Sequence, residues 1–226
     1  MCSRYQSVRA DGKLRKYFGA SARPDQLATL NALKKDAFPG YDAPFIRRPR
    51  ELSSGDEAVP AREVMIGRFG LLPHWAKDEK LTKSTYNARS ETAAIKPAFR
   101  DAWKSAKHCV IPAEAFYEPD WRTGKHIPTR ITRADGDPLG IAGLWSWWKN
   151  PAGEDVHSFA MLTINADNHA VMNAYHRPED EKRMIVVLRI EDFDAWLDAP
   201  ADRSMEFMRQ CAPEDLKAVG EPKSAV

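Results

Sequence analysis

Six runs with strand character, at 62–72, 107–118, 126–133, 139–148, 157–165 and 184–190, constrain the fold of this chain more than any other feature. HIPTRITR alternates apolar and polar residues, as a half-buried strand does; MIVVL is apolar throughout, as a strand covered on both faces is. No regular β–α alternation separates these runs, and no G-x-G-x-x-G or G-K-[ST] element is present. Nothing therefore supports a doubly wound nucleotide-binding layout, which counts against a dehydrogenase or ATPase. Segment 24–38 has helical spacing, with Leu27, Leu30 and Leu33 on one side, and 91–106 reads as a helix interrupted at Pro97. The Pro/Arg/Gly-rich stretch 39–60 predicts a long irregular loop, and EDFDAWLD and SMEFMRQ predict short acidic helices near the end. Together these predict an α+β fold in one domain over 1–226, with a mixed or barrel-like sheet as its core. Short helices lie at the periphery, and an acidic helical segment runs from about residue 191 to 226.

Composition narrows the partners. Hydrophobic residues make up 43% and charged residues 29% of 226, the balance of a soluble globular chain long enough to bury a substantial core. No apolar run has the length of a bilayer span, and MCSRYQSVR lacks the apolar centre of a secretory signal, so a cytoplasmic monomer with no membrane partner is expected. The net charge is only +2, but it is unevenly spread. Arg4, Arg9, Lys13, Arg15 and Lys16 face Asp11 alone in the first 16 residues, 77–107 is rich in Lys and Arg, and 191–221 is dominated by Asp and Glu. Such a division suggests an anionic partner on one face. The cysteines are Cys2, Cys109 and Cys211, too few for a disulfide framework and without metal-binding spacing. Cys109, inside HCVIP, reads as a small core residue.

Cys2 differs because of its position. Removal of Met1, which a small second residue permits, leaves a 1,2-aminothiol at the start of the chain. An α-amine ionises near 7.7–8.0 against about 10.4 for lysine, so its neutral nucleophilic fraction at pH 7 is larger by a factor on the order of several hundred. The neighbouring thiol can close on an imine and give a five-membered thiazolidine. The bland alternative is a frayed terminus. In STYNARSET, Ser90 suits a helix N-cap and Glu91 its first turn, which leaves Asn87 and Arg89 available to orient a sugar and grip a phosphate. Glu118 lies among aromatics in AEAFYEPDW, where partial burial would suit it to proton transfer; an exposed strand-end carboxylate is the plainer reading. His176, in NAYHRPEDEKRM, reads on its own as a loop histidine.

Taken in series, MCSRY, GLLPHWAKD, YNARSET, PAFR, IPAEAFYEP, AGLW, LTINAD and His176 with RMIVVL resemble the SRAP family, the abasic-site processing proteins, from residue 2 to residue 190. The resemblance implies a single SRAP-like domain that senses and shields abasic sites in single-stranded DNA. It would do so by a covalent thiazolidine crosslink through Cys2, with autopeptidase and lyase-like activity alongside. It further implies Cys2, Asn87, Glu118 and His176 as catalytic residues, Arg4 and Arg89 as phosphate contacts, and Phe69 and Trp75 as aromatics against the bases. No metal or organic cofactor is implied. The chain departs from the family pattern at Ser3, at Phe69, at Pro119 (with Trp121 nearby), around YDAP at 41–44 and in the spacer RPEDEK after His176, and its C-terminal portion looks shorter. Two other readings stand beside this one: a cysteine peptidase with Cys2 as nucleophile and His176 as base, and a non-covalent single-strand-binding module. Nothing in the sequence marks an oxyanion hole for the former.

Overall fold

The computed structural model describes residues 2–54, 56 and 58–221; Met1, and with it the predicted trimming, lies outside the described residues. Twelve strands are present among them: β1 (Tyr5–Ser7), β2 (Asp36–Ala37), β3 (Asp42–Arg47), β4 (Glu63–Phe69), β5 (Asn87–Arg89), β6 (His108–Asp120), β7 (Ile127–Arg133), β8 (Leu139–Lys149), β9 (Asp155–Asn165), β10 (Arg183–Ile185), β11 (Val187–Leu188) and β12 (Leu216–Gly220). The α-helices are short: α1 (Asp11–Phe18), α2 (Leu27–Ala32), α3 (Ser90–Ala93), α4 (Arg100–Lys104) and α5 (Phe193–Asp198).

Five strands close on themselves in the order β8–β9–β4–β3–β6 and back to β8, which confirms the α+β fold with a barrel-like sheet. All the steps are antiparallel except β4 with β9, a short parallel contact at Arg68–Ser158 and Phe69–Phe159. Closure removes the long unpaired edges that an open sheet of this size would carry. Phe45, Phe69 and Phe159 are fully buried and pack ring against ring, Phe45 to Phe159 at 5.4 Å and Phe69 to Phe159 at 5.7 Å. Cys109 is fully buried, as its apolar surroundings predict. Beside the start of β6, α5 buries Trp196, whose indole N–H donates to the Cys109 carbonyl at 2.9 Å and whose ring stacks on His108 at 3.8 Å. None of the helices among the described residues is long and apolar enough to cross a membrane.

Several expectations change. The stretch 39–60 is not all loop: β3 lies within it, and Phe45 and Ile46 are buried. Proline and arginine around those two apolar residues disguise the strand. The helix expected over 24–38 is only α2 preceded by a 3₁₀ turn, and the segment ends in β2. The run at 184–190 splits into β10 and β11, while the helix over 91–106 breaks around Pro97 as predicted. SMEFMRQ lies largely in a 3₁₀ turn over Ala201–Phe207, and the acidic C-terminal segment ends in β12 instead of a helix. Only Leu216 of that strand is buried, so it carries almost no apolar pattern. Residues 222–226 of that segment lie outside the described residues.

Candidate active site

The N-terminal strand is not frayed. β1 is held between β2 and β6, with Tyr5 opposite Ala37 on one side and Phe116 on the other. Just before it, Cys2 is completely buried. The Arg4 carbonyl accepts both the Cys2 thiol at 3.3 Å and the Tyr117 amide N–H at 3.0 Å, which ties the start of the chain to the end of β6. Burial pushes the Cys2 thiol up to about 12, and the Glu118 carboxylate adds to the rise; backbone amides of Tyr117 and Arg4 oppose it. The sulfur is therefore a thiol at neutral pH.

Asn87 comes to this point on β5, which runs parallel to β9 and pairs with Met161. Gly70 makes the approach possible. Its φ is +120°, and a Cβ there would run into the Thr82 backbone. Leu71 then receives the next segment, its N–H donating to the Thr85 carbonyl at 3.1 Å. The Asn87 amide donates to the Cys2 carbonyl at 2.9 Å, and its Oδ1 is buried without a hydrogen-bond partner among the described residues.

Glu118 and His176 complete the cluster. They are 2% and 7% exposed, and the Glu118 carboxylate lies 2.7 Å from His176 Nε2. His176 has a left-handed backbone (φ 65°), unusual for a residue with a side chain and sustained by pairing with β6. Its N–H donates to Pro119 at 2.9 Å, and Tyr175 bridges to Asp120. The loop histidine and the strand-end carboxylate thus become one buried acid–base pair. Both plainer readings, an exposed carboxylate and a surface loop histidine, give way to it.

The remaining expected residues divide. Arg4 lies flat on Tyr117 at 3.8 Å and pairs with Asp36 at 3.1 Å. Arg89, two residues past Asn87, pairs with Glu181 at 2.7 Å and is half-exposed. Trp75 is 44% exposed. Phe69 requires a correction: its ring is fully buried between Tyr5, Tyr86 and Phe159, so it floors the site and offers no face to a base. Ser90 is likewise not the N-cap; Arg89 takes that position, with no side-chain cap. Glu91 does stand in the first turn of α3, where it grips the buried Arg183 together with Glu181.

Two side chains missed in the sequence join the cluster. Tyr86 packs on Phe69 at 5.8 Å, and its hydroxyl is pushed up by burial and by the nearby Cys2 and Glu118 charges. Tyr117 supports Arg4 and accepts a hydrogen bond from Gln6 at 2.9 Å. Both directly precede expected residues, and that adjacency was the available signal. A cleft of about 370 Å³ lies elsewhere, between β7, β11 and the C-terminal turns, and none of the catalytic candidates lines it.

Comparison with known proteins places the chain in a family. The family profile "SOS response associated peptidase (SRAP)" matches residues 1–220. The chain is 37% identical over 145 residues to the abasic site processing protein YoqW of Bacillus subtilis, a match covering 63% of this chain and 60% of that protein. It is 26% identical over 176 residues to the abasic site processing protein HMCES of Gallus gallus, covering 68% and 51%. The match thus spans about 60% or less of the length of these two relatives. A crystal structure from Bordetella bronchiseptica superposes with a TM-score of 0.84 at 44% identity, covering 97% of this chain and 99% of that one. One from Bacteroides thetaiotaomicron shares the fold at a TM-score of 0.80 and 20% identity, covering 98% and 93%. With the profile running from the first residue through β12, this chain belongs to the SOS response associated peptidase (SRAP) family.

Proposed function

We propose that the chain captures abasic sites in single-stranded DNA by a covalent thiazolidine crosslink through Cys2, after removal of Met1. The observation that carries this reading is the burial of Cys2, Asn87, Glu118 and His176 in one cluster at one end of the barrel. The relatives named as abasic site processing proteins supply the substrate class.

The ring-opened abasic sugar presents an aldehyde at C1′. The Cys2 amine adds to it and water leaves, giving an imine. The Cys2 sulfur then adds to the imine carbon, its proton passing to the nitrogen, so aldehyde and aminothiol give thiazolidine and one water. Burial disfavours the thiolate, so nitrogen is the first nucleophile and sulfur the second. Glu118 takes the proton from the amine and returns one later, while His176, on the same carboxylate, protonates the ring oxygen as the sugar opens. Asn87 fixes the Cys2 carbonyl and so the direction of the amine. Arg4 and Arg89 grip phosphates once Asp36 and Glu181 give way, and the exposed indole of Trp75 offers a stacking face.

The same geometry argues against a cysteine peptidase. Such an enzyme needs a thiolate, made by a depressed thiol or an imidazole beside it. Here the thiol is pushed up, and His176 Nε2 is turned to Glu118. The test is incubation of the Met1-free protein with an abasic single strand, followed by a denaturing gel. A band of protein plus DNA is expected with the abasic strand and not with an intact one. Absence of that band, from protein whose mass shows Cys2 at its start, would refute the reading.

A further inference from the structure

A second concentration of charge and aromatic surface lies at the other end of the barrel. Arg47, the last residue of β3, is 5% exposed, and its guanidinium lies 4.2 Å from the centre of the Trp145 ring on β8. Its Nε donates to Glu63 at 2.7 Å, while its Nη1 is buried with no hydrogen-bond partner among the described residues. Two further cations converge on the same indoles. Arg50 stands 6.0 Å from Trp145 and 5.9 Å from Trp147, and Lys107 stands 5.6 Å from Trp145. Of the three cations, only Arg47 has an ion pair, with Glu63, among the described residues. The charges of Glu51 and Asp101 act on Arg47 and Lys107 from farther off, and Asp155 is taken by Lys149.

The crowding is felt by its neighbours. Burial and the charges of Arg50 and Arg47 hold the Lys107 ammonium below its ordinary range, against the pull of Asp101. His157, on the strand beside Trp145, is lowered to about 4 by burial and then by Arg47 and Arg50. Three cations packed this closely around one ion pair repel one another, and an arriving anion relieves that cost. Trp147 is 36% exposed and so leaves ring surface for a planar group.

We propose that this face, built on Arg50, Lys107 and Trp147 and backed by Arg47 and Trp145, is a second contact for single-stranded nucleic acid. Phosphates answer the cations and a base stacks on the exposed indole, a combination that binds single strands without regard to sequence. The identity of the polymer rests on the function proposed above; the cluster shares no residue with the buried group around Cys2, while His74, next to Trp75, lines the same small cleft as Lys107 and Trp147. β6 runs from His108, next to Lys107, to Glu118, and those ten residues correspond to roughly 30 Å of strand. At the roughly 3.4 Å per nucleotide of a stacked strand, one strand touching both ends needs on the order of ten nucleotides, and fewer where it is extended.

The test uses length. Fluorescence anisotropy with undamaged oligothymidylates of about 6 and 25 nucleotides compares wild type with Lys107→Ala/Trp147→Ala across a salt series. The variant should bind the 25-mer roughly tenfold more weakly, with a salt slope shallower by about one unit. Its capture of an abasic 6-mer at saturating protein should match wild type. Arg50→Ala alone serves if the double variant does not fold. Equal affinity and equal slope for the 25-mer would overturn the inference, as would displacement of nothing but an acidic peptide from this face. If wild type forms no adduct with any abasic strand, the Cys2 reading fails by itself and the anisotropy comparison still stands.

Discussion

His108 and Glu118 sit at opposite ends of β6, each almost wholly buried, each bonded to a partner far away in sequence, and their partners differ in kind. His108 stacks on Trp196, meets the Ser204 hydroxyl at 2.9 Å, and is lowered to about 4 by burial, so it is a neutral packing group. Glu118 instead meets an imidazole at 2.7 Å, and its charge helps to raise the buried Cys2 thiol. Burial is common to the two; a second titratable group within reach belongs to one only. Depth alone does not mark a reacting residue, and the chemistry of the neighbour does.

The sharpest way to break that contrast is at the cysteines, both fully buried. Cys2→Ser should abolish the adduct that survives denaturation, yet still yield an imine trappable with borohydride, because the amine remains. Cys109→Ser should crosslink as wild type does and lose only stability, on the order of 1–3 kcal/mol for a hydroxyl placed in an apolar site. A durable Cys2→Ser adduct without reductant would remove sulfur from the mechanism.

Next comes the carboxylate. Glu118→Gln keeps both nucleophiles and should slow adduct formation by about 10²–10⁴-fold without changing the product, read from a gel time course. His108→Gln should leave that time course untouched. Splitting the Glu118–His176 pair also costs stability, so the rates are compared at a temperature where both variants are folded.

His108 should show itself in acid. Its folded value of about 4 lies below the ordinary 6.5, so the unfolded chain binds the extra proton between those values and stability falls as pH drops through that window. The contribution is about 3 kcal/mol, and His157, also lowered to about 4, adds in the same sense. Urea midpoints at pH 7.5 and 4.5 should therefore differ less in His108→Gln than in wild type. An equal loss in both would mean that His108 is protonated in the folded protein.

Much of this architecture was legible in the sequence, and the gaps have physical causes. Long strands such as β6, β8 and β9 carry their apolar pattern openly. β3 did not, since Pro44 and the arginines around it outweigh its two large apolar residues, Phe45 and Ile46. His176 read as a surface residue because its enclosure is supplied by the end of β6, 58 residues earlier. Phe69 shows the reverse error: its place beside GLLP suggested a stacking ring, but three aromatic neighbours from distant segments enclose it. Local pattern shows which residues can react, while long-range packing decides which of them meet.

The smallest effects concern the rim. Arg4→Ala and Arg89→Ala should each flatten the salt dependence of single-strand binding by at most about one unit, as measured by titration at several salt concentrations. Both arginines already hold carboxylates, so part of the counter-ion release is replaced by an exchange of partners. Unchanged slopes in both variants would move the phosphate path elsewhere.

The wedging of β1 between β2 and β6 has a consequence for biosynthesis. The residues that seal the amino end, around Ala37 and Phe116, leave the ribosome after it does, the latter by more than a hundred residues. At roughly 5–20 residues per second, the start of the chain waits on the order of ten seconds before its second neighbour exists. An aminopeptidase that works on nascent chains has that interval to expose the Cys2 amine. On the proposed mechanism, translation speed, set far from any DNA, would then bear on what fraction of molecules carries a free Cys2 amine.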